Sequence, residues 1–158
     1  MSVGDEIQLV TFSVGGQEFG FNVFEVERVI RYENPSRLPQ APDYLEGTVR
    51  YGNDAVPVVD LRKRLEVPAP ILDETRIVVI DVDGSSVGLV VDAVLEVMKV
   101  SAESVRPPSP IVLGLAADYI IGIVTVEERT IVMLAASRLL NSKESLALSE
   151  LTVELTDE

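Results

Sequence analysis

The sequence predicts a mostly β protein made of two copies of a small unit of about five short strands. Three observations carry this expectation. Hydrophobic residues make up 47% of the 158 positions, yet aromatics only 5% and Trp none, so the core must be built from Val, Ile and Leu, of which the β-branched pair favours strands. The chain then divides into pairs of apolar runs joined by turn-forming residues. Finally, its two halves align with each other. The length is sufficient for a real core, and a charged fraction of 25% is globular rather than disordered.

Taken in order, IQLVTFSV (7–14) and EFGFNV (18–23) flank Gly15-Gly16 and read as a hairpin with a tight turn. In VFEVERVI, Val23, Val26, Val29 and Ile30 share the spacing of one face of a short helix, with strand as the alternative. Pro35, Pro39, Pro42 and Pro57 break regular structure over 35–57. Residues 46–51 and 55–60 form a second hairpin around Gly52-Asn53-Asp54, and LRKRLE (61–66) adds a helical turn. The Pro-rich, acidic EVPAPILDET (66–75) is the best linker. RIVVIDV and SVGLVV make a third hairpin across Asp83-Gly84-Ser85, and AVLEVMKV follows. The longer connection 101–118 holds Pro107, Pro108 and Pro110. YIIGIVTV and TIVMLAA form a fourth hairpin across Glu127-Glu128-Arg129. Residues 137–151 lack Gly and Pro and read as a helix that Ser137 is placed to cap.

The duplication rests on three blocks in the same order. FGFNVFEVERVI (19–30) aligns with VGLVVDAVLEVM (87–98), pairing Gly20 with Gly88 at an offset of 68 residues. EGTVRY (46–51) aligns with IGIVTV (121–126), and AVPVVDLRKRL (55–65) with TIVMLAASRLL (130–140), both at an offset of 75. The extra seven residues fit the longer connection in the second half. A unit this small buries too little alone. Two packed copies bury a shared seam, and a seam between barrels makes a groove suited to binding.

The formal net charge of −13 opposes binding to nucleic acid or anionic membranes. No apolar run reaches the length of a membrane span, and MSVGDEIQ has neither the basic region nor the apolar segment expected of an export signal. Cys is absent, which excludes disulfides and thiolate metal sites and fits a cytoplasmic setting. His is also absent, removing the commonest general base, and no nucleotide, nucleophile-elbow or zinc motif is complete. Asp60 and Asp92 are the acids most closely framed by apolar residues. At strand ends they are expected to cap the following helix or bind backbone amides. Asp81 and Asp83 flank a turn and are expected to face water; a calcium site there is the outside alternative. Neither catalysis nor a cofactor is expected, which leaves binding through surfaces and edges.

LVTFSVGGQEFGFNVFEVERVI, PDYLEGTVRYGNDAVPVVDLRKRL, SVGLVVDAVLEVMKVSAESVRPP and YIIGIVTVEERTIVMLAASRLLNSKESLAL resemble successive stretches of the CheW family of bacterial chemotaxis coupling proteins. The resemblance covers roughly 7–148. It implies two SH3-like five-stranded β-barrel subdomains with short helices and a C-terminal helix. The whole chain, 1–158, would be one CheW-like domain with subdomains near 18–66 and 76–135. Residues 7–17 and the 136–151 helix would pack across them, ahead of an acidic tail at 152–158.

It further implies a cytoplasmic adaptor at membrane-associated receptor arrays. Its partners would be the cytoplasmic tip of methyl-accepting chemoreceptors and the regulatory domain of a CheA-type histidine kinase. A scaffold specialised for another chemosensory pathway, such as surface motility, is the alternative. The positions matching the family's receptor groove are Val26, Arg28, Gly47, Gly88 and Val97. Arg28 stands where an acid is common. A second departure replaces the family's Asn-Leu-Arg-Gly by Arg50-Tyr51-Gly52-Asn53. The usual Arg is then lost at Gly52, Asn53 fills the glycine position of the turn, and Arg50 is the nearest replacement charge.

Overall fold

The computed structural model describes residues 5–37, 39, 41, 44–108 and 119–139. Ten strands run through the described residues: β1 (Glu6–Val14), β2 (Gln17–Asn22), β3 (Val26–Arg31), β4 (Leu45–Tyr51), β5 (Asp54–Asp60), β6 (Arg76–Val82), β7 (Ser85–Val91), β8 (Ala93–Ser101), β9 (Ile120–Val126) and β10 (Arg129–Leu134). A single helical turn, α1 (Leu61–Arg64), follows β5. The four expected hairpins are present as β1–β2, β4–β5, β6–β7 and β9–β10.

The strands form two five-stranded sheets, ordered β8-β1-β2-β10-β9 and β3-β6-β7-β5-β4. Each closes toward a barrel by one short bridge. Ser36, beyond β3, exchanges two backbone bonds with Thr48 on β4 (2.8 and 2.9 Å), and Arg106, beyond β8, does the same with Ile123 on β9 (2.9 and 2.8 Å). Closure leaves little unpaired edge to recruit foreign strands.

The sheets repeat each other rung by rung. In the second sheet one cross-strand row runs Gly47–Val58–Gly88–Val79–Arg28. In the first, the matching row runs Gly122–Met133–Gly20–Thr11–Glu96. Gly47 to Gly122 and Val58 to Met133 differ by 75, while Gly20 to Gly88, Thr11 to Val79 and Arg28 to Glu96 differ by 68. These are the offsets of the sequence alignment. The copies are nonetheless interleaved. β1 and β2 complete their sheet with β8, β9 and β10, whereas β6 and β7 complete theirs with β3, β4 and β5. The stretches 18–66 and 76–135 therefore each supply strands to both sheets.

The exchange explains the segment after β2. A helix does not form over 23–30. Val23–Glu25 is one 3-10 turn, capped by Asn22, whose Oδ1 accepts from the Phe24 amide at 3.0 Å. The chain then enters the other sheet as β3. A bulge between Val26 and Arg28 breaks simple alternation and gives the apolar residues their helix-like spacing. After β10, Ala136–Arg138 is a 3-10 turn with Ala135, not Ser137, at its cap position. Residues 140–151 of the expected helix lie outside the described residues.

Three apolar clusters hold the molecule. Val49, Val56, Val58, Ile77, Val79 and Val90 fill the second barrel. Leu9, Val100, Val124, Ile131 and Met133 fill the first. Between them lies the expected seam, with Phe12, Phe19, Phe21 and Leu134 from one sheet and Leu45, Val59, Val78, Ile80 and Leu89 from the other. Phe12 stacks on Phe19 and Phe21 with centroids 6.0 and 5.3 Å apart, contacts that favour one arrangement of the seam. Within RIVVIDV, Ile77 and Val79 face the barrel interior and Val78 and Ile80 the seam. A strand buried on both faces reads as an unbroken apolar run.

Candidate functional site

The framed acids are structural. Asp60 ends β5 and caps α1, its Oδ1 accepting from the Arg62 amide at 2.9 Å. Arg62 is only 2% exposed. It donates from Nε and Nη2 to the two Asp60 oxygens, both at 3.0 Å, and from Nη1 to the Pro70 carbonyl at 3.1 Å and to Asp92 Oδ1 at 3.4 Å. Asp92 Oδ2 in turn accepts from the Gly15 amide at 2.8 Å. One guanidinium thus ties β5, the 66–75 linker and the β7–β8 crossover together, and through Asp92 the β1–β2 turn. The Asp60 hydrogen bond holds the Arg62 pKa above its ordinary value. Asp81 faces water and caps its own hairpin turn, accepting from the Gly84 amide at 2.8 Å. Among the described residues no group of three or more acidic, His or Cys side chains is placed to hold a metal ion.

The sequence-predicted site residues separate into two kinds. Gly47 and Gly88 are buried within one row of the second sheet. A Cβ on Gly88 would meet Ile77 Cγ2 at 2.8 Å. One on Gly47, at φ 145, would meet the Ser36 carbonyl oxygen at 2.4 Å, so only glycine lets the bridge that closes the barrel form. Both glycines shape backbone. Val26, Arg28 and Val97 lie instead on the exchanged strands β3 and β8. Val26 packs against the seam, while Val97 is 58% exposed on the other sheet. Val29 and Leu95 are also exposed on these strands, and Phe24, in the turn entering β3, is 91% exposed. Sequence reasoning missed Phe24, although it is one of only four Phe in the chain.

Arg28 ends the Gly47 row. Its guanidinium lies 3.8 Å from the centroid of the Tyr51 ring on β4, so a cation–π contact spans the outer strands of the second sheet. Arg50 is exposed on β4. In the β4–β5 turn the left-handed conformation falls on Gly52, at φ 61. Asn53 does not adopt it, so the turn does not use Asn53 in place of a glycine. A separate cleft of about 370 Å³ opens where the two sheets meet, lined by Tyr44, Glu46, Asp60, Lys63 and Arg64 on one side and Tyr119 on the other. None of the eight predicted residues lines it.

Fold and surface together define a β-barrel interaction module, with buried charges serving the frame and apolar side chains left uncovered on the strands that cross between barrels. The family described as the CheW-like domain matches residues 8–144. The chemotaxis protein CheW of Treponema pallidum is 30% identical over 157 residues, spanning 96% of this chain and 92% of that protein. CheW of Klebsiella aerogenes is 30% identical over 144 residues, or 90% and 86%. The crystal structure of the scaffolding protein TtCheW from Thermoanaerobacter tengcongensis matches with a TM-score of 0.81 at 27% identity, covering 89% of this chain and 97% of that one. The chain belongs to the CheW-like family.

Proposed function

We propose that this chain is an adaptor that couples chemoreceptor signalling tips to a CheA-type histidine kinase and performs no chemistry of its own. One observation carries the reading: the family match runs from residue 8 to 144, through both barrels and the seam that joins them. A scaffold needs two faces held in fixed relation, and a shared apolar core supplies that rigidity. The adaptor works in the cytoplasm at membrane-associated receptor arrays; among the described residues no helix is long and apolar enough to cross a membrane. Its kinase partner is the regulatory domain, and its receptor contacts are Val26 and Arg28 on β3 and Val97 on β8. Gly47 and Gly88 fix the backbone of the row that ends at Arg28. Arg50, near the end of β4, and Gly52 and Asn53, in the β4–β5 turn, are further candidate contacts. Passing a signal requires that the receptor-bound and free states hold the kinase differently.

The test is a reconstitution of this chain with a receptor signalling-tip fragment and the full-length kinase from the same cell. Kinase autophosphorylation is expected to change only when all three are present. An output indifferent to the chain would sink the reading. Val97→Asp is the clean surface variant, because Val97 is already 58% exposed. It is expected to abolish tip binding while the circular dichroism spectrum and kinase binding stay as in the wild type.

A further inference from the structure

The two barrels carry opposite charges at the same structural position. In the first sheet the row ends at Glu96, whose Oε2 lies 2.8 Å from Arg129 Nη1. Arg129 also holds Glu18, so the Glu96 carboxylate already has an internal partner. In the second sheet the equivalent row ends at Arg28. The position matching Arg129 is Asp54, since 129 − 75 = 54. Asp54 lines the pocket at Arg28 together with Glu27, yet neither forms an ion pair with it. Glu27 is engaged instead by the Ser86 hydroxyl, which donates to it at 2.6 Å. Arg28 is therefore an exposed guanidinium whose Cζ sits over the Tyr51 ring and whose N–H groups are uncommitted to any carboxylate among the described residues, in a chain of net charge −13.

The ring contact restricts where the guanidinium can sit. A guanidinium seated on an aromatic ring has surrendered the freedom that an unanchored Arg loses on binding, and it presents paired donors of the geometry a carboxylate accepts. We infer that Arg28, oriented by Tyr51, is the point at which this adaptor receives a carboxylate of its receptor partner, an Asp or Glu on the docked segment. The assignment rests on the adaptor reading and names the chemistry of the partner at this corner. Arg50, exposed on the neighbouring strand position, adds long-range attraction for the same acidic segment. Asp54 opposes it as a nearby like charge.

The test measures binding of the full chain to the receptor signalling-tip fragment, over a range of sodium chloride concentrations, for the wild type and for Arg28→Gln, Tyr51→Leu and Asp54→Asn. Arg28→Gln is expected to weaken binding about tenfold and to flatten the salt dependence. Tyr51→Leu, which leaves the charge but removes its seat, is expected to weaken binding about threefold, in line with the modest worth of an exposed cation–π contact. Asp54→Asn is expected to tighten it. These opposite signs are what a merely structural corner would not give, since damage to the barrel weakens binding whichever residue is changed. Arg28→Gln binding as the wild type does, with the same salt dependence, overturns the assignment alone. A wild-type chain that binds no tip fragment at any salt overturns the adaptor reading and this assignment with it.

Discussion

Replacing Arg62 by Met removes the guanidinium and keeps most of the aliphatic stem, so the experiment isolates the charge. Arg62 and Asp60 are 2% and 7% exposed, and the pair is bidentate with both bonds at 3.0 Å. After the substitution Asp60 keeps only the Arg62 backbone amide, and Asp92 and the Pro70 carbonyl lose a donor. Breaking a buried pair by deleting one partner costs about 3–5 kcal/mol, because a desolvated charge is left uncompensated. For a chain of this size each kcal/mol moves Tm by roughly 2–4 °C, so the expected fall is about 6–20 °C. Urea unfolding followed by circular dichroism measures the loss directly. The double variant Arg62→Met/Asp60→Asn should recover part of it, since the carboxylate that was stranded is no longer charged. A single variant within about 1 kcal/mol of the wild type, or a double variant no better than the single, would refute the account of Arg62 as the tie between crossover, linker and strand end.

Further outcomes follow from other positions. Gly88→Ala drives a Cβ against an Ile77 methyl at 2.8 Å and should cost about 1–3 kcal/mol as overpacking. Gly47→Ala should cost more, because its Cβ meets a backbone oxygen at 2.4 Å and its φ of 145 adds strain of about 1–3 kcal/mol; equal denaturation midpoints for the two variants would contradict this ordering. Gly52→Ala, with open space around it but φ 61, should lose only about 1 kcal/mol in the same assay. Burial, helped by Glu46, raises the Tyr32 phenol above its ordinary 10.0. A raised folded pKa means that the stability it confers is complete below pH 10.0 and is lost as pH climbs through the folded value. Tyr32→Phe should remove that part of the alkaline decline in a series of melts, and an unchanged decline would exclude Tyr32 as its source.

The hairpins were legible because a strand pair needs two apolar runs and a turn that accepts positive φ, and Gly15-Gly16 and Asp83-Gly84 announce both. The duplication was legible through paired glycines, of which Gly47, Gly88 and Gly122 leave no room for a Cβ. The exchange of strands was not. Repeats in order along a chain do not say which sheet a strand will join, and the exchange happens within Asn22–Val26 and Val91–Ala93, segments too short to carry a signal of their own. Asp60 was readable as a cap and Asp92 as an acceptor for a backbone amide, but their partner hid in LRKRLE, where Arg62 looks no different from Lys63 and Arg64. The clue is its spacing of two from a capping Asp. Among the site residues, Val97 declared an exposed strand position only once β8 had a sheet to belong to. The stacking of Arg28 on Tyr51 joins strands 23 residues apart, and no local pattern encodes it.

Interleaving has a consequence for how the molecule comes apart. The second barrel is one continuous stretch, β3 to β7, set into the first, whose β1 and β2 precede it in the chain and whose β8, β9 and β10 follow it, so the first cannot be excised in one piece and the second is tethered to it at both ends. A chain cut in the exposed 66–75 loop would yield two pieces, each holding part of both barrels. Such pieces can succeed only by complementing one another. Strain felt at one barrel is therefore carried by covalent bonds, and not by surface contact alone, into its twin.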